Sequence, residues 1–371
     1  MVTRSLAAIT TGNEKFVIDE VSVDDPKSDE VLVAIKAAGL CHTDYDSMSW
    51  KQNLVMGHEG AGIVIKAGKK VKHVKEGDHV ILNWAVPCGH CFQCVSGNEH
   101  LCENNSFVLA GNRGFGKGHA HRNGTLYKGK PIARSFNIGT LSEYTLVKSA
   151  AVVSISKTIP FPSASIVGCG VMTGFGSVIN AARVQPSKSV VVLGCGGVGL
   201  NVIQGARIAG ANPIIGIDTR ETSLAMATKM GATHTLLAKT GDNELAHTVD
   251  EVKSLTNGRG ADYAFECTAR PTLGEAPLRL IRHGGMGIQV SGIEQKITFD
   301  MQLFEWDKIY LNPLYGKCRP QIDFSKIIDY YEHKKLFLDE LVTKTYPLTK
   351  LNKAFEDMLS GKNAKGVIVF K

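Results

Sequence analysis

A chain of 371 residues is long enough for two domains with full cores. Its 43% hydrophobic and 21% charged residues are ordinary for a globular protein, and no uncharged apolar run approaches the length of a membrane span, so no membrane partner is expected. The net charge of +7 is modest and no lysine/arginine tract is dense enough to argue for nucleic acid, while nine cysteines, an odd number clustered by spacing, point to metal rather than disulfides.

The opening MVTRSLAAITTGNEKF has too short an apolar core for a secretory signal, so a cytoplasmic location is expected. LAAIT, FVIDEVSV and EVLVAIKAAGL then read as strands, broken by the turn Asp24-Asp25-Pro26. Cys41-His42-Thr43-Asp44 follows, and Gly57-His58-Glu59-Gly60 opens another strand, GAGIVIKAG. A Cys and a His on separate loops of a β domain can converge on one metal. KEGDHVIL is a turn running into a strand.

Cys88, Cys91, Cys94 and Cys102 stand in a C-x2-C-x2-C-x7-C pattern. Four thiols this close suit a closed tetrahedral zinc site with a structural role, and glycines at 89 and 97 let the loop curl about the ion. His90 and His100 are not expected as ligands, since four sulfurs fill the shell. Residues 103–139, rich in Gly, Asn and His, read as an exposed loop; it carries Arg113, which could meet an acidic substrate group, and His119 and His121, read as solvated. TLSEYTLVK returns to strand, and Cys169 sits between two glycines before a helical pattern that starts at Val171.

The stretch from Lys188 to Asp218 organises the second half. Val190–Leu193 is a short apolar run suited to a strand buried on both faces. Gly194, Gly196 and Gly199 follow as G-x-G-x-x-G, then apolar residues at helical spacing, a second strand and Asp218. In this order the glycines make a tight turn, admit a pyrophosphate and pack helix on strand, while the acid meets a ribose hydroxyl. Gly194, Gly196, Gly197, Val198 and Gly199 are therefore expected to cradle a dinucleotide. Asp218 would repel a 2′-phosphate and favours NAD over NADP, and Arg220 is a further candidate cofactor contact. The positive net charge suits such an anionic ligand. Alternating helix and strand patterns continue to about residue 316: ETSLAMATKMG, THTLL, ELAHTVDEVKSLTNG, ADYAFECTA, TLGEAPLRLIRHGG as a helix, MGIQVSG, and KIYLNPLYG as a last strand. This alternation predicts an α/β, doubly wound parallel sheet. From Lys317 two helices and a closing strand, KGVIVFK, are expected to return to the first domain.

Assembled, these residues resemble the zinc-dependent medium-chain alcohol dehydrogenases over essentially the whole chain. The resemblance rests on CHTD at 41–44, GHEGAG at 57–62, the cysteine pattern at 88–102, GCG at 168–170 and GCGGVG at 194–199, in family order. It implies a β-rich GroES-like catalytic domain over 1–171, joined again by 317–371, and a Rossmann NAD-binding domain over 172–316. It further implies two Zn2+ per chain: a catalytic ion on Cys41, His58 and Cys169, and a structural ion on Cys88, Cys91, Cys94 and Cys102. Asp44 would orient His58, Glu59 would stand behind the catalytic ion, and Thr43 would take the alcohol proton. His42 and Lys365 would contact the pyrophosphate, and Trp84 would wall the pocket. The implied reaction is hydride transfer between a primary alcohol, aliphatic or benzylic, and NAD; the alternative is a relative specialised for formaldehyde or a thiol adduct. A homodimer is expected through the last sheet edge, although tetramers also occur in the family. Where the family carries a relay histidine this chain has Asp46, and the segment from Cys41 to His58 is short.

Overall fold

The computed structural model describes residues 2–105, 124–239, 242, 245–293 and 295–371. Arg113, His119 and His121 lie outside the described residues. By its internal contacts the chain divides into two units. One comprises Met1–Cys169, Arg319–Lys334 and Leu338–Lys371; the other comprises Gly170–Cys318 and Lys335–Phe337. No single helix among the described residues is long and apolar enough to cross a membrane.

The first unit is built on two mainly antiparallel sheets. In one, Val2–Thr10 pairs along its whole length with Phe16–Asp24, and its inward residues Ala7 and Ile9 pack with Val21, Val23, Val55 and Leu146. In the other, Glu30–Gly39 is central, flanked by Ala61–Ala67 and by the closing strand Lys365–Val369, with Tyr144–Lys148 also paired to it. Nine of the ten residues from Glu30 to Gly39 are buried, as expected for a strand covered on both faces. Part of the expected 103–139 loop is ordered as short strands at Thr125–Tyr127, Lys130–Pro131 and Ala133–Arg134. Each is only two or three residues long, too short to show a period in sequence. A strand at Val342–Pro347, which runs parallel to Lys365–Val369, also carries little apolar signal because most of its residues are exposed.

The second unit is a doubly wound parallel sheet. Its six strands lie in the order His234–Leu237, Ile214–Asp218, Val190–Leu193, Ala261–Glu266, Ile281–Gln289, Ile309–Leu311, so the chain reverses direction across the sheet between the third and fourth strands named. One expected helix is shorter than its pattern. It covers only Ala276–Leu280, and the chain is already a strand from Ile281. Ile281 pairs with Ala261, and the next paired residues are Met286 and Tyr263, so residues 282–285 bulge out of the ladder. Arg282 uses the bulge to reach Asp262, with Nη2 2.7 Å from Oδ1. Tertiary pairing has outweighed local helical spacing here.

Candidate functional site

Cys41 follows the end of the central Glu30–Gly39 strand and caps the short helix His42–Asp46. His58 and Glu59 lie in the connection between Leu54–Val55 and Ala61–Ala67, and Cys169 follows the helical turn Ile166–Gly168. These separate segments bring the Cys41 and Cys169 sulfurs, a His58 ring nitrogen and a Glu59 carboxylate oxygen within 4.8 Å of one another. Asp44 ties the cluster together. One of its oxygens lies 2.7 Å from His58 Nδ1, and the other accepts the Cys41 backbone N–H at 3.1 Å. A carboxylate can only accept, so Nδ1–H donates and Nε2 is left to ligate.

Electrostatics match this arrangement. The Cys169 thiol, hydrogen-bonded to Cys41, holds the Cys41 thiol well below its ordinary value against the effect of burial, with His58 assisting. Burial disfavours a charged His58, but the Asp44 carboxylate overrides it and raises the ring well above its usual range. Burial lifts Glu59 to about 7, opposed by Lys365. A thiolate, an oriented imidazole and a second thiol at these separations fit one tetrahedral zinc, whose bonds of about 2.0–2.3 Å place its donors roughly 3.8 Å apart.

Lys365 has a place the sequence did not foresee. Its ammonium is buried, 2.6 Å from Glu59 Oε1 and 2.9 Å from the Leu40 carbonyl. The structure pairs its charge with Glu59, the acid expected behind the catalytic ion. His42 and Asp46 are exposed on the short helix, and the half-buried Thr43 hydroxyl lies 3.7 Å from Cys41 Sγ.

Trp84 is buried, and it reaches the cluster through a residue that sequence reasoning missed. The Phe136 ring lies 4.8 Å from the His58 ring, with the Trp84 ring edge-on to it at 5.2 Å and Trp50 at 6.0 Å. Phe136 holds a left-handed backbone, φ 50° and ψ 29°, which is rare for an aromatic residue. No sequence pattern announces that conformation.

The second cluster is Cys88, Cys91, Cys94 and Cys102, whose sulfurs also lie within 4.8 Å of one another. Gly89 and Gly97 both adopt φ +81°, so the curl of the loop uses the backbone freedom that only glycine supplies without strain. The Cys91 N–H and the Asn104 amide each donate to Cys88 Sγ at 3.3 Å, and the Cys88 N–H donates to Cys102 Sγ at 3.3 Å. Burial opposes ionisation of Cys88, yet backbone N–H groups at His90 and Cys91 bring it down to about 6; burial pushes Cys94 up to about 12. Four sulfurs already preorganised by N–H donors fit a closed zinc site, and neither His90 nor His100 joins the set.

In the parallel sheet, Gly194 turns at φ +87°, and a Cβ on Gly199 would stand 1.8 Å from the Gly194 carbonyl. That close approach starts the Gly199–Ile208 helix directly on the turn, with Gly196, Gly197 and Val198 half-buried ahead of it. Asp218 ends its strand with one oxygen 2.9 Å from the Cys195 N–H and the other 3.0 Å from the Arg220 N–H. The Arg220 side chain lies 3.6 Å from the same carboxylate. Helix N-terminus, glycine turn and terminal acid form an arrangement that can hold a dinucleotide.

Residues 27–157 match the alcohol dehydrogenase GroES-like domain, and residues 197–315 match the zinc-binding dehydrogenase domain. An S-(hydroxymethyl)glutathione dehydrogenase of Paracoccus denitrificans is 34% identical, with 100% of both chains aligned. The chain belongs to the zinc-dependent medium-chain alcohol dehydrogenase family. Among solved structures, an alcohol dehydrogenase zinc-binding domain protein from Burkholderia ambifaria superposes on this dehydrogenase with a TM-score of 0.89 at 29% identity, and benzyl alcohol dehydrogenase from Acinetobacter calcoaceticus with 0.87 at 28%, each covering 100% of both chains. The fold is accordingly a GroES-like unit with a Rossmann-type one, and the protein is an oxidoreductase acting on small molecules.

Proposed function

We propose that this dehydrogenase interconverts a primary alcohol, aliphatic or benzylic, and its aldehyde, with NAD as the hydride partner. The observation that carries the reading is the convergence of Cys41, His58 and Cys169, with His58 oriented by a buried carboxylate and covered by an aromatic ring. In this reading the three residues hold one zinc, Cys88, Cys91, Cys94 and Cys102 hold a second, and the fold positions NAD through the Gly194–Gly199 turn. Zinc at an open three-ligand site supplies a Lewis acid for the substrate oxygen, and NAD supplies or accepts the hydride.

The chain's own residues do the rest. Asp44 fixes the His58 tautomer and ring angle. Lys365 neutralises Glu59 and holds it at the back of the cluster. The Thr43 hydroxyl passes the alcohol proton outward, since it is too weak a base to keep it, and the exposed Asp46 on the same helix stands toward solvent. Phe136, backed by Trp84, walls the space beside His58 and disfavours branching at the carbinol carbon. Asp218 receives the ribose hydroxyls and disfavours a 2′-phosphate, with Arg220 alongside. The Ile309–Leu311 edge, where Ile309 is half exposed, supports a homodimer formed by edge pairing. Nine thiols, six of them in two metal-spaced sets, suit the reducing cytoplasm.

The test is NADH absorbance against a panel of primary, secondary and benzylic alcohols. Faster turnover of unbranched primary or benzylic alcohols supports the reading; exclusive oxidation of secondary alcohols overturns it. A second reading, oxidation of a thiol adduct of formaldehyde, is favoured by the name of the Paracoccus relative. A large rate gain when glutathione is added to formaldehyde, with weak activity on free alcohols, selects it.

A further inference from the structure

Glu266 ends the strand beside Leu193, at the point where the order of the parallel sheet reverses and where such sheets bind their ligands. It is fully buried, and the functional reading above gives it no role. Both oxygens of its carboxylate accept hydrogen bonds. Oε1 accepts the Thr268 N–H at 2.6 Å and the Thr268 hydroxyl, and Oε2 accepts the Gln289 amide at 2.7 Å. Gln289 gives its other amide proton to the Ser291 carbonyl at 2.9 Å, which leaves its oxygen facing the Tyr310 hydroxyl at 2.9 Å. The same hydroxyl is 2.6 Å from the Gly274 carbonyl, so its one proton is shared between two acceptors. Tyr310 belongs to Ile309–Leu311, the outermost strand. The hydrogen bonds therefore cross three adjacent strands, from the sheet's edge to its switch point.

At the inner end, the chain meets the glycine turn. The Thr268 methyl and the Cys267 backbone crowd Gly194 so closely that a Cβ there would lie 2.8 Å from Thr268 Cγ2. Thr268 is thus clamped by its hydroxyl and N–H on one side and presses the turn with its methyl on the other. The Thr268 hydroxyl also accepts the Arg270 N–H at 3.1 Å, which fixes the loop beyond. Burial raises the Glu266 pKa, and the donors around it oppose the rise only in part.

We propose that Tyr310, Gln289, Glu266 and Thr268 form a positioning chain that holds the Gly194 turn in the shape that grips a dinucleotide pyrophosphate, with Glu266 its central positioning residue. The proposal rests on the reading of Gly194–Gly199 as a dinucleotide cradle. It makes a residue on the sheet edge matter for a ligand it does not touch.

The test measures ADP-ribose and NADH affinity, by calorimetry and by fluorescence, for the wild type, Thr268→Val, Thr268→Ser and Tyr310→Phe, with zinc content and Tm recorded for each. Thr268→Val keeps the methyl on Gly194 and removes the hydroxyl; Thr268→Ser keeps the hydroxyl. The expected result is an affinity about ten-fold weaker in Thr268→Val, a smaller loss in Tyr310→Phe, and a loss in Thr268→Ser too, because it keeps the clamping hydroxyl but removes the methyl that presses on Gly194, with both zincs retained. Affinities of Thr268→Val and Tyr310→Phe within two-fold of the wild type overturn the positioning chain, whatever happens to Tm, because a purely structural network would show only in stability. If the wild type binds neither ligand, the dinucleotide reading fails first and takes this inference with it, a result distinct from unchanged affinities.

Discussion

The carboxylate of Asp44 lies 2.7 Å from Nδ1 of His58, and both side chains are out of water. The same carboxylate accepts the Cys41 backbone N–H, so one acid positions two members of the cluster. Asp44→Asn keeps the size and one acceptor but loses the charge that supports an imidazole as a metal ligand. Zinc affinity at this site is expected to fall roughly 10–100-fold, with a parallel loss of activity. Competition against a chromogenic chelator measures it; an Asn variant that keeps its zinc under conditions stripping neither site would remove the orienting role.

The two clusters differ in what surrounds them, and metal removal should show it. Cys169→Ser is expected to carry one zinc per chain, to melt near the wild type and to lose turnover. Cys94→Ser should lose the other zinc and melt on the order of 5 °C lower or more, because metal binding at a closed four-cysteine site is folding energy. Elemental analysis beside calorimetry decides. Equal melting losses in the two variants would mean that neither site is specialised.

Much of this architecture is legible before any coordinates. Glycine spacing, thiol spacing and the switch from alternating to helical patterns mark local, short-range constraints, and the residues they single out in the clusters and the glycine turn come together. What stays hidden depends on tertiary pairing. The pairing of Lys365 with Glu59 is hidden because nothing in sequence shows that the Lys365 strand lies beside the one ending at Gly39. Phe136 is silent because its role rests on a left-handed backbone within a stretch lacking periodicity. Residues 281–285 look helical because the bulge that makes them strand is stabilised by Asp262, some twenty positions earlier.

Asp218 is already engaged before any ligand arrives, through the N–H groups of Cys195 and Arg220. Its replacement therefore costs both ribose recognition and the set of the turn. Asp218→Ala is expected to lower kcat/KM with NAD by on the order of ten-fold or more, and to raise NADP relative to NAD. Steady-state kinetics with both cofactors checks it. Equal efficiency with the two in the wild type would contradict the assignment.

Acid stability should report on Asp357. Lys353, then Lys344, then Tyr346 hold its pKa below the usual carboxylate value, at distances of 2.7, 2.9 and 2.7 Å. A depressed folded-state pKa stabilises above the unfolded value of about 3.9, and the benefit fades as pH falls through the folded value. Asp357→Asn is expected to lower Tm at neutral pH, with the gap to the wild type closing below about pH 4. A gap that is constant with pH would assign the loss to packing rather than charge.

The Phe136 ring packs against both Trp84 and His58, which changes what each substitution should do. If Trp84 walled the pocket directly, its removal alone would set substrate size. Because Phe136 faces His58 at 4.8 Å and Trp84 braces Phe136 from 5.2 Å, the space beside the cluster is shaped first by Phe136. Phe136→Ala is expected to open that space, raising kcat/KM for secondary relative to primary alcohols by about ten-fold, since apolar pockets discriminate by roughly 1–3 kcal/mol per misfitted methylene. Trp84→Ala should shift the ratio in the same direction by less, because Phe136 remains but can tilt into the vacated volume. The double variant should then fall short of the product of the two single effects, as contacting residues do not act independently. Paired primary and secondary alcohols, measured in all three variants with zinc content held equal, test the order. A larger shift in Trp84→Ala than in Phe136→Ala would make Trp84 the wall itself and Phe136 its support.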